Sequence, residues 1–150
     1  MALAFDAGED FAADKPACAA CPKLDGAFSC TIHETLDAAG YSGCRKFSCL
    51  GAGQRVTHDV FAGQNWRDQP ALMVPMAEAL AALRRIHQDL ELLVTARTLP
   101  LPAAAAAQCE ALIEEHAPDT GWTRDSLAAI DASDLKSRTA GFIRSLRAYV

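Results

Sequence analysis

From residue 70 onward, apolar residues recur every three or four positions, which is the period of an amphipathic helix. Pro70 suits the first position of such a helix, where its missing N–H leaves no bond unmade. The prolines of the segment TLPLP, which begins after residue 97, cannot continue a helix and so end it. The pattern predicts one long helix over about 71–97. Its inward face carries Leu72, Met76, Leu80 or Ala79, Leu83, Ile86 or His87, Leu90, Leu93 and Val94.

Three shorter helical patterns come next, at about 103–116, 123–130 and 132–148. The last of them predicts an inward position for Tyr149 at its end. Amphipathic helices joined by short loops bury their apolar faces by packing against one another. The predicted fold class is therefore mainly α, with a small helical bundle.

Before residue 70 the chain shows neither a sustained helical period nor strand alternation. Two short helices are predicted there, at 31–39 and at about 49–61. Thr31 is the candidate N-cap of the first, Glu34 completes a capping box, and Gly40 ends it.

Composition changes at the same place as the pattern. The part before residue 70 is rich in Gly, Cys, Asp and aromatic residues, whereas the part after it reads as helix. A chain of 150 residues is long enough to bury a core of its own. We expect an irregular cysteine-rich metal-binding module at 1–68 and a helical bundle at 70–150, joined in one compact unit.

The charge of the chain argues against a nucleic-acid partner. The formal net charge is −5, and the basic residues are scattered, whereas binding to phosphate requires a concentrated Lys/Arg surface. The N-terminus carries Asp6, Glu9 and Asp10 in place of the basic and apolar regions of a signal peptide. No apolar run has the length of a membrane span. These features predict a cytoplasmic protein that binds neither nucleic acid nor membrane; a protein partner is left open.

Five of the six cysteines lie in one short stretch with the spacing C-x2-C-P-x7-C-x2-H-x10-C-x4-C. In the reducing cytoplasm such a density favours metal binding or redox chemistry over disulfides. Thiolates bind zinc and iron well, whereas calcium and magnesium prefer oxygen ligands. The candidates outnumber the four ligands of a tetrahedral site. They are Cys18, Cys21, Cys30, His33, Cys44 and Cys49.

Two other interpretations of these cysteines stay open. One is a set of buried free thiols, because free Cys is among the most buried residue types. The other is a redox pair formed by Cys18-Ala-Ala-Cys21, although no βαβ pattern surrounds it. The sixth cysteine, Cys109, shares a helical face with Leu112 and Ile113, and we expect it to pack in the core.

The cysteine stretch resembles the YkgJ-type cysteine-cluster family, whose members are described as zinc- or iron-chelating domains. The likeness rests on Cys21-Pro-Lys-Leu-Asp, Cys30-Thr-Ile-His33 and Gly43-Cys44-Arg-Lys-Phe47-Ser-Cys49. It covers the second half of the family's pattern. Where that family carries a denser run of cysteines upstream, this chain has Cys18 alone.

A longer likeness covers most of the chain. The segments 11–16, 49–56 and 61–67 resemble the N-terminal region of actinobacterial pentapeptide-repeat proteins, and the helical remainder resembles the next part of those proteins. The tandem repeats themselves are absent here, so what belongs to them does not transfer. The resemblance implies a central metal-binding set and two secondary candidates, Cys18 and His33. The central set is Cys21, Cys30, Cys44 and Cys49.

The sequence indicates no catalytic constellation, so an enzymatic role is neither indicated nor excluded. The glycines of Gly51-Ala-Gly53 lack the preceding strand and the subsequent Lys-Ser/Thr of a phosphate loop. We expect a protein that holds one zinc ion, or alternatively one iron–sulfur centre, with a mainly structural or regulatory role. A redox-active iron–sulfur protein and an interaction module stapled by its metal are the competing hypotheses.

Overall fold

The computed structural model describes residues 3–149, without the side chain of Ala148. Residues 1, 2 and 150 of the two predicted domains lie outside this range. The described chain is mainly α, as predicted, with single turns of 3₁₀- or π-helix at His33–Thr35, Val56–Val60, Pro70–Leu72 and Leu146–Ala148. Its α-helices are α1 (Gly43–Lys46), α2 (Ala52–Arg55), α3 (Met73–Ala96), α4 (Ala103–His116), α5 (Arg124–Asp131) and α6 (Leu135–Ser145).

The chain divides into two compact units. The cysteine unit comprises Met1–Cys49 and Gln64–Glu78, and the helical unit comprises Leu50–Gly63 and Ala79–Val150. The sequence-based boundary near residue 69 therefore assigns residues 50–63 to the module, whereas the structure groups them with the helices. This segment carries three buried apolar side chains, which explains why it belongs to a packed unit. They are Ala52, Val56 and Phe61.

The core of the helical unit is formed by α3, α4 and α6. Its buried residues are Leu93, Ala96, Cys109, Leu112, Leu135, Phe142 and Leu146. The predicted core position of Cys109 is confirmed, since its side chain is fully buried and its thiol donates a hydrogen bond to the Leu93 carbonyl at 3.4 Å. The inward positions predicted for Val94 and Tyr149 are wrong, since each residue is 39% exposed. Before Tyr149 the α-helical period ends in a 3₁₀ turn.

The bounds of α3 and α4 agree closely with the sequence pattern, whereas α6 is three residues shorter than predicted at each end. α4 has the predicted bounds, and α3 differs from its prediction by two residues at the start and one at the end. α5 begins with a capping box in which Thr123 and Ser126 bond each other's backbone N–H, at 2.9 and 3.0 Å. Within residues 3–149, no helix is both long and apolar enough to cross a membrane.

Three aromatic rings form the apolar centre of the cysteine unit. Phe5 and Phe11 stack at a centroid distance of 4.2 Å, and Tyr41 meets both rings edge-on at 6.1 and 6.2 Å. An isolated antiparallel bridge joins Phe5 to Lys15 through two backbone hydrogen bonds of 3.0 and 2.8 Å. In the first part of the chain, contacts between residues distant in sequence therefore provide the stability that helices provide elsewhere.

The helix predicted over 31–39 is wrong in its extent, because only the 3₁₀ turn His33–Thr35 forms. Thr31 does not cap it: both its backbone N–H and its hydroxyl donate to the Lys23 carbonyl, at 2.8 and 3.0 Å. The carboxylate of Glu34 contacts the imidazole of His33 instead of a backbone N–H. Gly40 does end the segment, with a φ of +76°.

Gly43, the first residue of α1, has no room for a side chain. A Cβ at this position would overlap the ring of Phe11 and approach the Cβ of Asp10 to 3.1 Å. We therefore expect Gly43→Ala to destabilise the cysteine unit by about 1–3 kcal/mol, which is typical of overpacking. Urea unfolding of the two proteins measures this difference. Gly8→Ala is the control, because a Cβ there meets nothing within 4 Å, and equal losses would contradict the packing described.

Candidate metal centre

All five clustered cysteines lie in the cysteine unit, are free thiols, and are half-buried. Cys109, by contrast, is fully buried in the apolar core of the helical unit. The partial exposure of the clustered five does not match the interpretation of a set of core-packing cysteines. The question is then how far the chain brings their sulfur atoms together.

A tight turn carries Cys30 back alongside the segment just after Cys21. The backbone N–H of Leu24 donates to the Cys21 carbonyl at 3.1 Å, and an antiparallel bridge pairs Leu24 with Cys30. The carboxylate of Asp25 closes the turn by accepting a hydrogen bond from the N–H of Ser29 at 2.9 Å. These contacts place two of the predicted ligands on facing backbone segments.

Cys44 lies in the first turn of α1, in the same unit as Cys21 and Cys30. Burial raises the pKa of the Cys44 thiol, and negative charge on Cys21 and on Cys30 raises that pKa further. The three predicted ligands therefore come from three separate parts of one unit and influence one another electrostatically.

Backbone strain is concentrated at the turns that carry cysteines. A positive φ is uncommon for residues other than glycine, yet Cys18 has a φ of +54°, Phe28 of +63° and Leu50 of +51°. Phe28 lies two residues from Cys30, and Leu50 directly follows Cys49. The fourth such residue within 3–149, Ala62 with a φ of +49°, lies away from the cysteines, so three of the four strained positions are at or beside a cysteine.

Lys15 is a part of this site that sequence reasoning missed. Its side chain is only 4% exposed, and its ammonium donates hydrogen bonds to the carbonyls of Pro16 at 2.9 Å and Ala19 at 2.8 Å. Burial lowers the pKa of Lys15, while negative charge on Cys21 and Cys18 opposes that shift. The ammonium therefore lies next to the loop that bears these two thiols. Nothing in the local sequence signals its burial.

Arg67 packs on an aromatic ring in the loop between Cys21 and Cys30. Its guanidinium lies 4.2 Å from the centroid of the Phe28 ring and 5.2 Å from that of Trp66. Its Nη1 atom is buried and has no hydrogen-bond partner within residues 3–149. The cysteine unit therefore contains a buried donor that the described side chains and backbone leave unsatisfied.

His33 is the most exposed of the six candidate ligands. Its side chain is 73% exposed, and its Nδ1 lies 2.9 Å from the Glu34 carboxylate. The structure thus engages the imidazole with a carboxylate at the surface, whereas the five cysteines are half-buried. The secondary place of His33 among the ligands stays a prediction.

In the side-chain positions observed for residues 3–149, no three His, Cys, Asp or Glu side chains are close enough to hold a metal ion. The fit of a metal therefore rests on the chemistry of the donors and on their common place in one unit. Soft thiols in one irregular, turn-rich segment are the donor set that zinc and iron–sulfur clusters use. Cys49 lies at the end of the same unit.

Comparison with known proteins finds a distant relative. The chain is similar to the uncharacterized protein YybG of Bacillus subtilis (strain 168), with 25% identity over 134 residues that cover 89% of this chain and 48% of YybG. It thus spans about half the length of the relative that it matches. No family model matches the chain, and no solved structure matches it significantly. The resemblances to pentapeptide-repeat and YkgJ-type proteins stay predictions.

Proposed function

We propose that this chain is a metal-binding protein that holds one zinc ion, or alternatively one iron–sulfur cluster, through four cysteines. The ligands are Cys21, Cys30, Cys44 and Cys49. The observation that carries the proposal is that all four are free, half-buried thiols in one unit, where the bridge between Leu24 and Cys30 holds Cys30 alongside the segment after Cys21. Zinc is the first choice, because four thiolates form a closed tetrahedral site for it.

The cost of charging the Cys44 thiol is the physical reason for a metal. Burial raises the pKa of Cys44, and repulsion by negative charge on Cys21 and on Cys30 raises it further. A bound cation replaces that repulsion with bonds and displaces the protons. Metal affinity is therefore expected to fall as the pH falls, since the protons then compete for the same sulfur atoms.

The proposed role of the metal is mainly structural or regulatory. Within residues 3–49 the longest helix is α1, of four residues, and the buried apolar residues are few. A segment with so little core gains folding free energy directly from metal binding. The unsatisfied Nη1 of Arg67 supports a bound group in this unit, because hydrogen-bond donors commonly serve the sulfur atoms of thiolate centres.

Anaerobic purification with elemental analysis and an absorption spectrum tests this proposal. We expect colourless protein with one zinc per chain. Iron with labile sulfide and broad visible absorption would select the cluster on the same ligands. The control is Cys109→Ala, which removes the core thiol and is expected to keep the full metal content. Metal-free wild-type protein with reactive thiols would contradict the proposal and favour the Cys18–Cys21 redox pair.

A further inference from the structure

The helical unit contains a small cavity with a buried histidine in its lining. The cavity has a volume of about 140 Å³, and its lining residues come from α3, α5, the end of α4 and the start of α6. Ile86, Leu127 and Leu135 are buried and give the lining an apolar part. Cavities of about 150 Å³ hold one molecule of the size of benzene, so this one has room for about six heavy atoms.

The histidine is His116, the last residue of α4, which is 2% exposed. Its Nδ1 lies 2.7 Å from the carbonyl oxygen of Leu112. Because a carbonyl oxygen can only accept a hydrogen bond, Nδ1 carries the ring proton. Nε2 of the neutral imidazole is then left with a lone pair and can only accept.

A second acceptor of the same lining lies beside this nitrogen. The Oδ2 atom of Asp89 is 4.0 Å from Nε2 of His116. An imidazolium would donate to a carboxylate at about 2.7–2.9 Å, and the wider gap observed here exceeds hydrogen-bond distance. The cavity therefore presents two acceptors side by side, one of them negatively charged.

The group that complements two such acceptors is an ammonium. One nitrogen at about 2.9 Å from each acceptor would bridge a gap of this width, and its positive charge would strengthen the bond to the carboxylate. The other charged groups of the lining are exposed. Arg85 and Asp131 pair with each other at 3.2 Å, and the charge of Lys136 is screened by solvent.

We propose that this cavity binds a small aliphatic amine. Its ammonium bridges Asp89 and His116, and its apolar body packs against Ile86, Leu127 and Leu135. A cavity of this size and mixed polarity suits such a ligand, because the apolar lining takes the hydrocarbon and a few placed polar groups fix its orientation. The inference goes beyond the proposed function, since neither the metal nor the cysteines take part in it.

The test is a titration of the full-length protein with 3-methylbutan-1-amine, which has six heavy atoms, followed by NMR of the backbone amides. The matched ligand is 3-methylbutan-1-ol, which has the same carbon skeleton without the charge. Asp89→Asn removes the carboxylate, and His116→Asn removes Nε2 while keeping an N–H near the position of Nδ1. The control protein is Asp119→Asn, which changes an exposed carboxylate outside this cavity.

We expect the amine to shift the amides of Ile86 and Leu127 in a saturable way. The alcohol should bind wild-type protein at least about 10-fold more weakly, and the amine should bind Asp89→Asn and His116→Asn more weakly by a similar factor, as is usual when a hydrogen bond to a charged group is lost. Asp119→Asn should change the affinity by less than about twofold. In free wild-type protein, the ¹⁵N shift of the His116 ring should show an unprotonated Nε2.

Absence of saturable shifts with the amine would overturn the inference, and so would equal binding of the amine and the alcohol. Unchanged affinity in Asp89→Asn, or a proton on Nε2 in the free protein, would also overturn it. The substitution of Asp89 and the ring shift keep the test decisive if His116→Asn fails to fold. None of these results depends on the metal content, so the inference and the proposed function can fail separately.

Discussion

Cys44→Ser is expected to abolish stoichiometric metal binding and to unfold the cysteine unit while the helical unit keeps its helices. The loss removes one of four thiolates, and the three that remain repel one another without a closed site. We expect it to cost the unit on the order of several kcal/mol, because the metal supplies much of its folding free energy. Metal analysis and far-UV circular dichroism measure the two effects.

Most of the helical signal should survive this substitution, because α4, α5, α6 and most of α3 lie in the helical unit. The matched control is Cys18→Ser, which changes the same chemistry at a secondary candidate and should retain one metal per chain. Complete loss of the helical signal in Cys44→Ser would refute the prediction that only the cysteine unit needs the metal in order to fold. Loss of metal in Cys18→Ser would place Cys18 among the ligands.

Leu93→Ala should have the opposite profile, destabilising the helical unit while leaving the metal content unchanged. Leu93 is fully buried in the core cluster between α3, α4 and α6, and its carbonyl accepts the hydrogen bond of the Cys109 thiol. Truncating a buried leucine leaves a cavity and costs about 2–5 kcal/mol. Urea unfolding monitored by circular dichroism measures the loss, and elemental analysis measures the metal.

The neighbouring residue, Leu92, provides the control for Leu93→Ala. Leu92 is 51% exposed, so Leu92→Ala should change the free energy of unfolding by no more than about 0.5 kcal/mol. Equal losses from the two substitutions would mean that the core is wrongly assigned. Loss of the metal in Leu93→Ala would mean that the cysteine unit depends on the helical core to fold.

The helices could be predicted from the sequence because the spacing of their apolar residues indicates which face is buried. Leu93 and Leu112 recur at helical intervals within their patterns, and proline and glycine mark where the patterns end. These two signals are enough to give the bounds of α3 and α4. At the C-terminus the same reasoning failed for Tyr149. The chain changes from α- to 3₁₀-helix before this residue, and a change of helical period is not visible in the spacing of apolar residues.

The cysteine unit shows why the remainder of the fold could not be predicted from the sequence. Thr31 and Glu34 form a sequence pattern for a capping box, but a long-range hydrogen bond to Lys23 takes Thr31 away from it. The pairing of Phe5 with Lys15 likewise depends on residues ten positions apart that share no periodic signal. Non-local pairs of this kind determine the fold of an irregular segment, and one sequence does not encode them locally.

The candidate site likewise has a part that the sequence predicts and a part that only the folded chain shows. The density and spacing of Cys21, Cys30 and Cys44 mark them as a group, because unrelated cysteines seldom cluster. The structure adds the bridge that pairs Leu24 with Cys30, and the buried Lys15 whose ammonium donates to the carbonyls of Pro16 and Ala19. Burial of a charged residue arises from tertiary contacts, so it could be found only in the folded chain.

The most direct test of the four-thiolate centre is to count and locate the thiols that one equivalent of zinc protects from alkylation. Reduced, metal-free protein is labelled with and without zinc, and the labelled cysteines are located by mass spectrometry of its peptides. We expect zinc to protect Cys21, Cys30, Cys44 and Cys49 and to leave Cys18 reactive. The same labelling with and without zinc, or protection of a different set, would contradict the proposed centre.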